Sequence, residues 1–154
     1  MKHAIFYLIM LLISLSNIFS QPLHVRNKKA IKLYHEGLNN YDKGDWLTAI
    51  NFFTKAIEKS PNFYEAYVLR GGCYENMRKY DAAIQDYEKA IALDKSFFPN
   101  LYLTTARLYF NTGQYEKALE YYITFKNYNK NSPILSKRAD EGIQKAQFAL
   151  NQQK

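Results

Sequence analysis

The sequence predicts an all-α solenoid of three helix–turn–helix units, closed by one further helix. Three observations carry this expectation. Trp46, Tyr80 and Tyr115 stand 34 and 35 residues apart, and the series Ala49, Ala83, Ala118 and Phe53, Tyr87, Tyr122 keep the same interval. Within each unit the apolar residues fall three and four apart, the spacing that gathers side chains on one face of a helix. A short polar break separates the two halves of each unit, so the helices must be antiparallel neighbours. A period of about 34 residues marks stacked helical pairs. One pair leaves its second face uncovered, so roughly three or more units have to stack to bury it.

The central unit, residues 64–97, displays the pattern most fully. Tyr67, Gly71 and Tyr74 fall at i, i+4 and i+7 in its first half. Tyr80, Ala83, Ile84, Tyr87, Ala90 and Ile91 continue the helical spacing over about three turns of the second half. Asn76-Met77-Arg78-Lys79 forms the break. Gly71 and Ala83 are small where helix backbones would approach, and the flanking aromatics would fill the space they leave. The first unit, residues 30–63, places Leu33, Gly37, Tyr41, Trp46, Ala49, Phe53 and Ala56 at matching positions. Gly44 supplies its turn, Asp45 is placed to cap its second helix, and Pro61 ends it. The third unit, residues 99–132, follows one inserted residue, Phe98. It keeps Tyr102, Ala106, Tyr109, Gly113, Tyr115, Ala118 and Tyr122.

Ser132-Pro133 then reads as a helix start, a capping residue followed by proline at the first helical position. Leu135, Ala139, Ile143, Ala146 and Leu150 form one apolar stripe, with Lys137, Arg138, Asp140, Glu141, Gln144 and Lys145 on the other face. Residues 133–154 are therefore expected to be a capping helix and tail, apolar towards the array and polar outside. Bulky Phe125 is expected to pack beneath that helix.

Residues 1–20 stand apart from the repeats. Lys2 and His3 precede an apolar run over residues 4–13, and Ser20 is the small residue before the expected cut at Gln21. This is the plan of a secretory signal peptide. The run falls short of the roughly 20 residues that a membrane span needs. An uncleaved anchor is the alternative, because apolar character reaches Phe19, and it would be the chain's only tie to a membrane. No cysteine near the cut suggests a lipid anchor. Residues 21–29 are expected to be a flexible lead-in. The protein is thus expected to be exported.

Composition excludes several classes of function. Losing Lys2 with the leader lowers the formal charge from +7 to +6. The bases are scattered, with loose groupings at 26–32 and 126–138, which is the pattern of a solvated surface rather than a nucleic-acid stripe. Export argues against nucleic acid as well. The single cysteine, Cys73, rules out an intrachain disulfide and reads as a small buried hydrophobe. His3, His24 and His35 form no cluster of metal-ligand spacing, and there is no glycine-rich phosphate loop or serine elbow. Glu65 and Glu75 share a helix but lie about 15 Å apart along it, too far for an acid–base pair. No catalytic, cofactor or metal residues are expected.

The units resemble the tetratricopeptide repeat, whose pattern runs aromatic, Gly or Ala, aromatic, then Ala, aromatic, Ala and Pro. Lys95 and Lys130 stand where the pattern has Pro, and Phe125 stands where it has Ala. The resemblance implies a right-handed superhelix with the first helix of each unit on the concave face, acting as a non-catalytic scaffold for a protein or peptide partner. It also implies which residues face the groove: Tyr34, Leu38 and Tyr41 from the first unit, and Glu65, Val68, Gly72 and Glu75 from the second. The third unit would give Leu103, Arg107 and Phe110. Such a groove would be aromatic at both sides, with a hollow at Gly72 and fixed charges at Glu65, Glu75 and Arg107.

Some family members grip the acidic C-termini of heat-shock chaperones with basic and asparagine side chains. The matching positions here hold Tyr34, Leu38, Leu69, Asn100 and Thr104, none of them basic, so that function does not carry over. The order of leader, three repeats and Lys/Ala-rich closing helix is similar to the start of certain Gram-negative envelope proteins. In those, the repeats precede a β-propeller and an OmpA-like peptidoglycan-binding domain, and some serve secretion or gliding. That likeness implies a periplasmic setting, or the periplasmic face of the outer membrane. The chain would then be a stand-alone relative or a truncated product, and a structural spacer or anchor module is the alternative to a scaffold. Protein recovered from its native host is expected to begin at or near Gln21 by intact mass; retention of Met1 in the envelope fraction would favour the anchor.

Overall fold

The computed structural model describes residues 27–94, 99–129 and 132–153. Among them are seven helices and no strand. These are α1 (Lys28–Asp42), α2 (Trp46–Lys59), α3 (Tyr64–Asn76), α4 (Tyr80–Leu93), α5 (Pro99–Asn111), α6 (Tyr115–Tyr128) and α7 (Pro133–Gln152). Three helical pairs stack in chain order and α7 packs on the last, so the expected all-α solenoid with a closing helix is what forms. The expected leader, the inserted Phe98 and the departures at Lys95 and Lys130 lie outside the described residues.

Local chemistry fixes several helix ends. α1 starts two residues ahead of Ala30 because the Asn27 side chain accepts a hydrogen bond from the Lys29 amide at 2.8 Å. Asp45 caps α2 through the Thr48 amide at 3.2 Å, and Ser132 caps α7 through the Leu135 amide, with Pro133 opening the helix. The helices α3, α4 and α6 begin without a side-chain cap. Their stability must come from the apolar faces they bury, which is the larger effect for helices this short.

Those faces meet through a repeated contact. A Cβ built on Gly37 would lie 2.6 Å from the Phe53 ring, and one built on Gly71 would lie 2.6 Å from Tyr87. Each glycine lets the paired helix press its aromatic residue directly onto backbone. In the third unit Ala106 takes the place of that glycine, and the equivalent ring of Tyr122 meets Gly142 of α7, where a Cβ would be 2.3 Å away. Phe125 is fully buried and shares the core with Ala139 and Ala146 of α7. Burying a side chain of that size is worth about 1.5–3 kcal/mol. The closing helix is therefore seated by a large residue beneath it and a glycine that admits a ring.

Polar links join the helices of the second unit and tie that unit to its neighbours. Arg70 of α3 donates to both carboxylate oxygens of Asp86 on α4, at 2.8 and 2.7 Å, and to the Thr54 hydroxyl of α2 at 3.0 Å. The Asp86 side chain is only 7% exposed, so loss of Arg70 would strand a buried charge. Glu88 of α4 accepts hydrogen bonds from the hydroxyls of Tyr109 on α5 and Tyr121 on α6. Every helix of the second unit is thereby tied by polar contact to a neighbouring unit.

The turns within the three pairs differ in one respect. Gly44 and Gly113 have φ of 77° and 76°, whereas the second pair places Arg78 at φ 58° in the same left-handed region. A side chain there costs about 1–2 kcal/mol, while glycine loses about 0.5–1 kcal/mol more chain entropy on folding. Strain is the larger effect, and Arg78 is exposed. Arg78→Gly is expected to stabilise the fold by roughly 0.5–1 kcal/mol, read as a higher urea midpoint; a lower midpoint would show that the Arg78 side chain makes contacts outweighing the strain.

Candidate functional site

The residues expected to face the groove fall into two groups. In the first unit they are engaged with one another's neighbours. The half-buried Tyr34 ring stacks on Phe63 at 4.8 Å between centroids and lies 5.8 Å from Phe53. Tyr41 sits edge-on to Trp46 at 5.1 Å, and its hydroxyl reaches over Gly72, where a Cβ would stand 3.3 Å from the oxygen. The hollow expected at Gly72 is therefore occupied. The missing side chain that suggested a gap is what admits the Tyr41 ring from the preceding unit. Burial raises the Tyr41 hydroxyl above its ordinary pKa. Leu38, Glu65 and Val68 are each half-buried, and Val68 packs against the main core.

The fixed charges are matched rather than free. Glu75 accepts from the Tyr87 hydroxyl at 3.0 Å and from the Arg107 guanidinium, so α3 and α5 are bridged across the concave side. Burial, then the charge of Glu75, pushes the Tyr87 hydroxyl far up, which keeps it a donor to the carboxylate.

The second group opens a cavity. Leu103, Arg107 and Phe110 of α5, with Thr104 and Asn111, face Arg138, Glu141, Gly142 and Lys145 of α7 across a space of about 420 Å³, and Tyr122 of α6 also lines it. Phe110 is steadied by Tyr115 at 5.3 Å. The cation-bearing face of α7 is thus not wholly turned outward, contrary to the expectation of a cap polar only towards solvent. Arg138, Glu141 and Lys145 lie at i, i+3 and i+7, beside the apolar stripe, and the stripe's flank is what meets α5. That spacing was readable in the sequence; what it faces was not. At the far ends of α7, Ile134 and Phe148 remain 71% and 67% exposed, so its outer surface is not uniformly polar either.

Among the described residues, no three His, Cys, Asp or Glu side chains come together in a way that could hold a metal. Cys73 is buried, and burial pushes its thiol up to about 12, which leaves it protonated and unreactive near neutrality. No described helix is long and apolar enough to cross a membrane.

An array of stacked helical pairs with a cavity on its inner side defines a helical-repeat protein. Residues 64–97 and residues 99–131 each match a family model described as tetratricopeptide repeat. The chain is 34% identical over 102 residues to human DnaJ homolog subfamily C member 7, a match covering 63% of this chain and 20% of the relative. The chain accordingly spans about a fifth of that relative's length. Among solved structures it is similar to the TPR2B domain of yeast Sti1, solved as a complex with pHsp70. That likeness has a TM-score of 0.68 at 25% identity, covering 79% of this chain and 98% of that one. The type III secretion chaperone SycD of Yersinia enterocolitica, in complex with a peptide of the translocator YopD, shares the fold. Its TM-score is 0.70 at 20% identity, over 81% of this chain and 97% of that one.

The seat of α7 decides whether the cavity exists. Gly142→Ala would drive a methyl into the Tyr122 ring and is expected to cost about 1–3 kcal/mol. An unchanged urea midpoint would mean that α7 is not docked on Tyr122.

Proposed function

We propose that the protein is a non-catalytic interaction scaffold that holds a peptide or protein segment of a partner on its concave side. The observation that carries this reading is the cavity of about 420 Å³ walled by Leu103, Arg107 and Phe110, which lies within the size range of ligand pockets. Its support from outside the chain is that the similar Sti1 domain was solved in complex with pHsp70. The two halves of the concave side differ. The filled position at Gly72 is what a spacer module would present, whereas the open end between α5 and α7 favours binding. The binding function is therefore assigned to the third unit and α7, with Tyr34, Leu38, Tyr41, Glu65, Val68 and Gly72 shaping the wall behind it and Glu75 holding Arg107. The leader-like residues 1–20 support an exported protein working in the periplasm or at the inner face of the outer membrane.

Immobilised protein presented with envelope extract from the native host tests this. Phe110→Ala should keep its helical content but bind the captured partner at least about tenfold more weakly, because a buried aromatic anchor is worth about 2 kcal/mol or more. Lys89→Ala on an exposed site away from the cavity should bind as the parent does. Equal capture by Phe110→Ala and the parent would place the partner elsewhere or leave the protein a spacer.

A further inference from the structure

We infer that the outer face of α7 is a self-association surface, on which a second copy of the chain lays its own α7 antiparallel across a two-fold axis at Glu141. Exposure singles this face out. Ile134 and Phe148 are 71% and 67% exposed, and among the described residues only Leu47, at 66%, is comparable. They lie close to four whole turns apart, so both project from one side of the helix, about 21 Å from each other along it. That side is turned away from the array, because Ala139, Gly142 and Ala146 are the buried residues of α7. Two large apolar side chains aligned on an outer face leave that face without the partner its pattern calls for.

The pattern along the face is symmetric. Glu141 lies midway between Ile134 and Phe148 and on the same side of the helix. Pairing two α7 helices antiparallel about Glu141 therefore sets Ile134 of each copy against Phe148 of the other. The contact is made twice, uses one patch on both copies and closes at two. The same register sets the two Glu141 carboxylates at the axis, each within reach of Arg138 and Lys145 of the opposite copy. All three residues are exposed, on the edge that α7 shares with the cavity, and among the described residues no ion pair already engages them. Two acids ringed by four cations complement one another across the axis. The antiparallel sense also lays the positive N-terminal end of each helix beside the negative C-terminal end of its partner.

The contact is confined to one helix of 20 residues, about 30 Å long. That is smaller than the roughly 800 Å² per partner of a standard stable interface, so the dimer is weak and forms as concentration rises. Sedimentation velocity on the full chain should show monomer giving way to dimer through the micromolar range. Phe148→Glu and Ile134→Glu should each raise the dissociation constant at least about tenfold, because every substitution enters the contact twice. Glu141→Gln should weaken association as well, since it leaves four cations facing one another without an acid. These positions are exposed, so each variant should keep the helical content and urea midpoint of the parent.

Cysteine pairing tests the register. Glu141→Cys alone should form a disulfide-linked dimer under mild oxidation, and a mixture of Ile134→Cys with Phe148→Cys chains should cross-link. Ile134→Cys alone should not, because its two copies stand about four turns apart in the antiparallel pair. Cys73 stays out of the reaction, being buried with its thiol pushed up to about 12. A chain that remains monomeric throughout would overturn the inference. So would undiminished association of folded Phe148→Glu, which would place the contact elsewhere, such as the apolar run of residues 4–13. Cross-linking of Ile134→Cys as fast as Glu141→Cys would overturn the antiparallel pairing. If the parent is monomeric yet sediments with phosphatidylglycerol vesicles, and Phe148→Glu does not, the face takes a bilayer and the inference falls.

Discussion

The contact of an aromatic ring with the backbone of a glycine sets the geometry on which the rest of the molecule depends. Phe53 on Gly37 and Tyr87 on Gly71 fix how closely the helices of the first two pairs approach. With a Cβ at 2.6 Å from the ring, neither pair could close to the same separation, and interiors packed to crystal-like density transmit such a displacement. The third pair breaks the series by carrying Ala106 where the others have glycine. Tyr122 then finds its glycine on α7 instead, and the closing helix is drawn against α6 at Gly142. The aromatic position that closes the first two pairs thus also seats the closing helix.

The polar links distribute themselves according to what the apolar contacts leave open. Between the first and second units, Arg70 of α3 reaches the Thr54 hydroxyl of α2 while it pairs with Asp86 inside its own unit, and Tyr34 stacks on Phe63, the residue just before α3. Between the second and third units the Glu75–Arg107 pair spans one side, and Glu88 gathers Tyr109 and Tyr121 on the other. Desolvation together with hydrogen bonding to Glu88 raises the Tyr109 and Tyr121 hydroxyls well above the usual phenol range. The two hydroxyls therefore stay protonated, as donors, when pH rises through the ordinary phenol range. Lys126 and Asp140 add a surface pair between α6 and α7, exposed enough to contribute little.

How much of this was legible follows from the kind of information a repeat carries. The interval between Trp46, Tyr80 and Tyr115 and the stripe from Leu135 to Leu150 are properties of one chain read along its length, and helix number, pairing and the closing helix follow from them. Gly44, Asp45 and Ser132-Pro133 act within a few residues, and they behave as turn and caps for that reason. The hydrogen bond from Arg70 to Thr54 and the reach of Tyr41 over Gly72 depend on how units are rotated against each other. Periodicity does not specify that rotation. Gly72 was read as a gap from its own residue type, when the deciding atom belongs to a residue 31 positions earlier in the chain. The cations of α7 were seen as one polar face, because a helical wheel has no second helix to divide that face into lip and exterior.

The location of the cavity follows from the same asymmetry. Between the first and second units Tyr41 covers Gly72, and between the second and third Glu75, at the position matching Tyr41, meets Arg107, so both junctions on the inner side are closed by the chain itself. The third unit is followed by α7. Opposite Phe110, which matches Tyr41 and Glu75 in the pattern, α7 presents Gly142 with Arg138, Glu141 and Lys145 around it. A space of about 420 Å³ is left between the two helices. The space lies after the third unit because that junction lacks the contact that closes the two before it.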